Sequence, residues 1–207
     1  MTYISKLATV VQPDLRYLLE QLYQGKQLYS YRNGQTIPMT DQGVCVVCRG
    51  VVQLSTFYSS GDEALLGLAV PSMPFGIPLS FIDPYQAIAL SDVDLMHFTL
   101  SEIEQSPTLT QGIFPQISRR LRQTEAFLSL AGHRRVEDRL RQLLWLLKNE
   151  LGHPEPEGIC LSVRLTHQHL ANAIGTTRVT VTRLLGQFKK ENWLMINSDH
   201  HIVILGN

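Results

Sequence analysis

The chain reads as an α+β protein: short antiparallel strands first, one long helix in the middle, and a winged helix-turn-helix at the end. Three observations predict this. Residues Leu165–Lys190 (LTHQHLANAIGTTRVTVTRLLGQFKK) form two short helical patterns around a glycine. From Leu28 onward, short apolar runs such as VCVVC, VVQLSTFY and ALLGLAV are broken by Asn33-Gly34, Asp41-Gln42-Gly43, Arg49-Gly50 and Ser59-Ser60-Gly61-Asp62, the texture of a sandwich or barrel. Between them, Phe114, Ile117, Leu121, Thr124, Leu128 and Ala131 recur at alternating spacings of three and four, the seam of a two-stranded coil.

In the last region, Thr166 can N-cap a helix whose apolar positions are Leu170, Ala173 and Ile174, and Gly175 suits a left-handed stop. Thr176 or Thr177 caps the second helix, which buries Val181, Leu184, Leu185 and Phe188 at i, i+3, i+4, i+7. At 100° per residue, Val179 and Arg183 lie nearly opposite that stripe, with Thr180, Thr182 and Gly186 beside them and Arg178 in the first turn. Such a face suits a DNA major groove. Arginine grips guanine N7 and O6 with two hydrogen bonds, and valine meets a thymine methyl. Lys189 and Lys190 suit phosphates, which give affinity without sequence information. A helical hairpin with a solvated face is the plain alternative.

The run Leu165-Thr166-His167-Gln168-His169-Leu170-Ala171, through Gly175-Thr176-Thr177-Arg178, to Thr182-Arg183-Leu184-Leu185 resembles the helix-turn-helix of the cyclic-AMP receptor protein and fumarate–nitrate regulator family. One founding member, CAP, is itself a standard example of the docking geometry. Residues Gly175 to Gly186 look most like the cyanobacterial global nitrogen regulators. The resemblance implies an N-terminal β-roll like the cyclic-nucleotide-binding domain, a dimerisation helix, double-stranded DNA and RNA polymerase as partners, and DNA contacts from Thr166, His167, Gln168, Thr176, Thr177, Arg178, Val179, Thr180, Thr182, Arg183, Lys189 and Lys190. It also implies a palindromic site with GTA and TAC half-sites.

Composition agrees once the chain is divided. Its net charge is zero, but residues 1–107 hold 5 Lys/Arg against 10 Asp/Glu, and residues 108–207 hold 13 against 8. A basic C-terminal part joined to an acidic one is the electrostatic footprint of a DNA-binding domain carried by something that does not bind DNA. The first twenty residues lack a signal peptide's apolar core. Pro71, Pro74, Pro78, Gly67 and Gly76 break the apolar run Ala64–Ile82 too often for a membrane helix. A cytoplasmic protein is expected, of three parts: residues 1–107, 108–132 and 133–207.

In chain order, Pro13–Gln24 is an amphipathic helix, and two further strands, Tyr85–Leu90 and Val93–Phe98, flank Ser91-Asp92. No nucleophile–base constellation is visible, so an enzyme is not expected, and His97 has no obvious partner. Cyclic-AMP binders in the family carry a Gly-Glu-Leu stretch and later an Arg-Ser-Ala or Arg-Thr-Ala. Here the matching residues are Phe75-Gly76-Ile77-Pro78-Leu79 and Pro84-Tyr85-Gln86-Ala87, without the glutamate or the phosphate-pairing arginine. A phosphodiester would be buried unpaired, so cyclic AMP is not expected. The 2-oxoglutarate pocket of the nitrogen regulators uses backbone amides like those of Phe75, Gly76 and Ile77, and an Arg and a Glu matched by Arg120 and Glu125. Its third anchor, an arginine just before Tyr85, is absent, which weakens the hold on a dicarboxylate. Arg120 and Glu125 could equally be an ion pair at a dimer interface.

Oxygen sensors of the family use four cysteines, whereas this chain has Cys45, Cys48 and Cys160. The odd offset of Cys45 and Cys48 in a strand sends them to opposite faces. The pairs His167/His169 and His200/His201 do not converge on a metal, so none is expected. Pro115 should kink the long helix or mark its start. After a hinge at Gly132-His133 come a helix on Val136, Leu140, Leu143, Leu144 and Leu147, a Pro-containing loop His153–Gly158, and a strand on Ile159, Leu161 and Val163. Trp193–Ile196 and Ile202–Leu205 bracket a wing tip at Asn197-Ser198-Asp199-His200. The expectation is a homodimeric, sequence-specific transcription regulator. The alternative is a small-molecule or redox sensor acting through protein partners.

Overall fold

The computed structural model describes residues 26–205; the helix expected over Pro13–Gln24 lies outside them. The turn-bounded runs become strands β1 (Tyr29–Tyr31), β2 (Gly43–Arg49), β3 (Val52–Phe57), β4 (Glu63–Ala69), β5 (Pro74–Phe75), β6 (Gln86–Ala89) and β7 (Val93–Thr99). They pair antiparallel in two sheets, ordered β1-β7-β2-β5 and β4-β3-β6. Strand alternation divides the side chains. Cys45 and Val47 enter the main core, while Val46 joins Met96, Phe98 and Leu109 on the other side with Cys48 packed beside them. The two cysteines therefore face apart, as their offset requires. His97 does have partners. It lies opposite Cys45 in register, with Sγ 3.8 Å from Nδ1, and its ring centroid is 4.5 Å from that of Tyr29.

A short helix α1 (Leu100–Gln105) follows β7. The sequence reading missed it, although Thr99 and Glu102 form a capping box at its start. The long helix α2 (Pro107–Leu130) begins with Ser106 as N-cap and Pro107 in its first turn. Pro115 is thus inside the helix and does not mark its start. Its missing N–H removes one donor from the helical ladder, and the helix continues on both sides of it. Gln123 shows how α2 is fixed to the sheet: its Oε1 accepts from the Leu68 backbone N–H at 2.9 Å. Gly67 beside it has φ +156°, and a Cβ there would come 3.0 Å from that oxygen, so only glycine leaves the approach open.

Helix α3 (Val136–Leu151) buries Leu140, Leu143, Leu144, Leu147 and Leu151. The expected loop His153–Gly158 is instead a hairpin, β8 (Gly152–Glu155) against β9 (Gly158–Leu161). Pro154 misled the sequence reading, because β8 is the edge of a sheet ordered β10-β11-β9-β8 and an edge strand can spare an N–H. Helices α4 (His167–Ile174) and α5 (Arg178–Lys190) precede β10 (Leu194–Ile196) and β11 (Ile202–Ile204), which pair as the wing. One apolar cluster runs from Val52 and Leu68 in the strands through Leu140 and Leu144 to Val181 and Phe188. No helix among the described residues is long and apolar enough to cross a membrane.

Candidate nucleic-acid interface

The helix pair is built from its caps. Thr166 Oγ1 accepts from the His169 N–H at 3.1 Å, and His169 Nδ1 accepts from the Thr166 N–H at 3.3 Å. Gly175 ends α4 at φ 61°, ψ 55°, the left-handed conformation that glycine adopts without strain. Of the two threonines that could cap α5, Thr177 does so, accepting from the Thr180 N–H at 3.2 Å.

Helix α5 then separates into two faces. Val181, Leu184, Leu185 and Phe188 are buried, and Val179 stands 78 % exposed. Arg178, Thr182, Arg183, Lys189 and Lys190 are exposed with it, and Thr180 is half-buried. An isopropyl group held in water gains nothing for folding, so Val179 is available for a contact outside the chain. On α4, Thr166 and Gln168 are exposed, and at the turn Thr177 is exposed and Thr176 half-buried. Gln168 Nε2 donates to Asn172 Oδ1 at 2.6 Å. Thr182 Oγ1 donates to the Arg178 carbonyl at 2.9 Å, so its 2.7 Å contact with His167 Nδ1 requires the imidazole to carry the proton. Burial, then the charges of Arg178 and Lys189, hold His167 below the ordinary histidine range. Burial also lowers His169, against the opposing pull of Glu63.

Several supports of this face were not found by the sequence reading. Arg139 on α3 donates from Nε to the Ile174 carbonyl (3.1 Å) and from Nη1 to the His133 carbonyl (3.0 Å). It thereby ties the end of α4 to the hinge. The Arg141 guanidinium lies 4.2 Å over Phe188 and 4.8 Å over Trp193, and its Nη2 pairs with Glu137 and Glu191. That stack clamps the far end of α5. Glu63 on β4 accepts from Gln53 and from Asn172 of α4, both at 2.7 Å, joining α4 to the strands. Long-range polar contacts of this kind leave no periodic trace in sequence.

The residues expected around an effector are only partly assembled. Phe75 is fully buried, and Gly76 and Ile77 follow at the start of a 3-10 turn. Arg120 reaches them from α2, donating to the Pro74 carbonyl at 3.0 Å and to the Tyr85 hydroxyl at 2.7 Å. Burial raises the Tyr85 pKa, and Arg120 counteracts part of the rise. Glu125 is not brought to this place: five residues along α2 is 140° around it, and Glu125 is exposed and forms no ion pair with Arg120. Also on α2, Phe114 (68 %), Leu121 (58 %) and Leu128 (73 %) lie open, with Ile117 less so. Thr124 and Ala131 are exposed beside them, Ala131 as the C-cap.

Comparison with known proteins agrees with this geometry. The Crp-like helix-turn-helix domain family matches residues 138–206. A global nitrogen regulator of Synechocystis is 35 % identical over 163 residues, covering 74 % of this chain and 72 % of that protein. One from Synechococcus elongatus is 32 % identical over 196 residues, 87 % of this chain and 88 % of its own length. Among solved structures, a cyclic nucleotide-binding domain containing protein from Listeria monocytogenes superposes with a TM-score of 0.76 at 16 % identity, covering 92 % of this chain and 95 % of that one. A CRP-family transcriptional regulator from Thermus thermophilus gives 0.71 at 18 %, covering 86 % and 91 %. With a helix-turn-helix that leaves its outer face to solvent, and relatives matched through most of their length, the chain belongs to the CRP/FNR family of DNA-binding transcription regulators.

Proposed function

We propose that the protein acts as a homodimer on a palindromic site with GTA and TAC half-sites, working in the cytoplasm with RNA polymerase. The observation that carries this is the divided α5, with Val179 and both arginines outward and the whole apolar stripe inward. Residues 1–107 form the sensing part, 108–132 the dimer helix and 133–207 the reading head. The open residues Phe114, Ile117, Leu121 and Leu128 on α2 are the surface a second copy covers, and two recognition helices so paired sit about 34 Å apart, one turn of DNA. Arg178 and Arg183 read base edges, with Val179 against a methyl. Thr166, His167, Gln168, Thr176, Thr177, Thr180, Thr182, Lys189 and Lys190 position the backbone.

Titrating matched and scrambled operators at two salt concentrations tests this. Arg183→Ala should lose roughly 1–3 kcal/mol of discrimination per half-site. Lys190→Ala should weaken both DNAs alike and flatten the salt dependence by about one phosphate contact. Equal losses on both DNAs for Arg183→Ala would defeat the assignment, and metabolite binding with no DNA shift at all would favour a sensor acting through protein partners.

The effector reading is shaped by Tyr85. Its hydroxyl takes the Arg120 donor, the group that an anionic ligand would need. Cyclic AMP finds no second cation for its phosphate, and 2-oxoglutarate finds one arginine, already engaged. In the proposed dimer Glu125 lies on the seam face with Leu121 and Leu128, available to the partner subunit. Arg120 is therefore engaged within its own chain, and the regulator holds its DNA-reading form without a dicarboxylate. Calorimetry against cyclic nucleotides and 2-oxoglutarate checks this, and tight binding of either would refute it.

A further inference from the structure

The β8–β9 hairpin places three different ligand types on one face. His153 and Glu155 are two apart on β8, so they project to the same side, and Cys160 on β9 is the direct cross-strand partner of His153. Nδ1 or Nε2 of His153, a carboxylate oxygen of Glu155 and Sγ of Cys160 all lie within 4.8 Å of one another. His153 Nε2 and Glu155 Oε1 are 3.4 Å apart. Ligand atoms about 2.0–2.3 Å from a tetrahedral zinc-type ion are separated by roughly 3.5 Å, so side-chain rotation alone closes the remaining gap. The arrangement is graded in depth: Cys160 is buried, Glu155 half-buried and His153 exposed, which leaves an open side for entry and for a water ligand.

A second observation points to the sulfur. Asn197, at the root of the wing tip, has its Oδ1 held by the backbone N–H groups of Asp199 (3.1 Å) and His201 (2.9 Å). That fixes the amide so that Nδ2 donates to Cys160 Sγ at 3.7 Å. An N–H aimed at sulfur is the outer-shell contact that steadies a metal-bound thiolate. We propose that His153, Glu155 and Cys160 bind one zinc-class divalent ion per chain, with water in the fourth position and Asn197 orienting the thiolate. The S, N and O donor set selects zinc or cobalt over magnesium or calcium. Held on a hairpin that pairs with β11, the ion would stiffen the sheet carrying the wing. The proposal is independent of which DNA sequence the protein reads.

Cobalt(II) titrated into the full-length reduced protein tests it through the thiolate-to-metal charge-transfer band, with zinc displacing the cobalt. The expected result is one equivalent per chain. Cys160→Ser should abolish the band, exposed His153→Ala should weaken cobalt binding by tenfold or more without disturbing the fold, and Asn197→Ala should weaken it by roughly ten- to a hundredfold. Cys45→Ser and Cys48→Ser should leave it unchanged. No band in the unaltered protein, or a band that survives both Cys160→Ser and His153→Ala, overturns the proposal.

Discussion

Two arginines, Arg120 on α2 and Arg183 on α5, make opposite use of the same guanidinium. Arg120 gives its donors to the Pro74 carbonyl and the Tyr85 hydroxyl. Arg183 is exposed and forms no hydrogen bond or ion pair among the described residues. An arginine whose fork is occupied works for the fold, and one whose fork is empty is kept for a partner. On the reading proposed above, Arg183 belongs to a face left open to DNA, and Arg120 is committed to partners within its own chain.

The largest test of this contrast concerns the α2 surface proposed to pair two copies. Leu121→Glu combined with Leu128→Glu should leave a folded monomer in sedimentation and lower operator affinity roughly 10²–10⁴-fold, the loss expected when a second tethered contact disappears. An intact dimer would remove the seam from the account. Next comes an exchange of roles. Arg120→Ala should cost about 1–3 kcal/mol in denaturant unfolding, because the Pro74 carbonyl and Tyr85 hydroxyl lose their donor, with operator discrimination retained. Arg183→Ala should stay within about 0.5 kcal/mol of the parent in the same assay. A stability loss from Arg183→Ala as large as that from Arg120→Ala would end the distinction.

Tyr85→Phe sharpens it further. It should cost about 0.5–1.5 kcal/mol of stability while releasing one Arg120 donor, so calorimetry should show 2-oxoglutarate binding several-fold more tightly than to the parent. The smallest effect is with pH. Burial depresses His97, His167 and His169 in the folded state. The unfolded chain therefore takes up protons first, near the ordinary imidazole value of about 6.5. Stability should fall as pH drops through that value and level off once the folded histidines are also protonated. His167→Gln should reduce the slope. A stability flat between neutral pH and the depressed values would contradict the burial of these rings.

The reading head was legible because its signals are local. Thr166, Gly175 and Thr177 punctuate it, and Val181, Leu184, Leu185 and Phe188 repeat at a helical period. Strand alternation likewise set Cys45 and Cys48 on opposite faces. What escaped was of two kinds. Prolines such as Pro154 and Pro115 are usually breakers, yet one lies on an edge strand and the other inside a long helix, placements that local pattern does not reveal. The other kind is polar contact across long separations: Glu63 with Asn172, Arg139 with Ile174, and Arg120 with Tyr85. The Thr99–Glu102 box, by contrast, is local and carries a readable spacing.

The division of α5 has a consequence for retargeting. Since the interior is held by Val181, Leu184, Leu185 and Phe188 with Arg141 stacked behind, the exposed positions 178, 179 and 183, proposed to read the bases, can be exchanged without asking the scaffold to refold. A library varied at those positions alone should yield soluble readers of new operators, each inheriting the same spacing between half-sites.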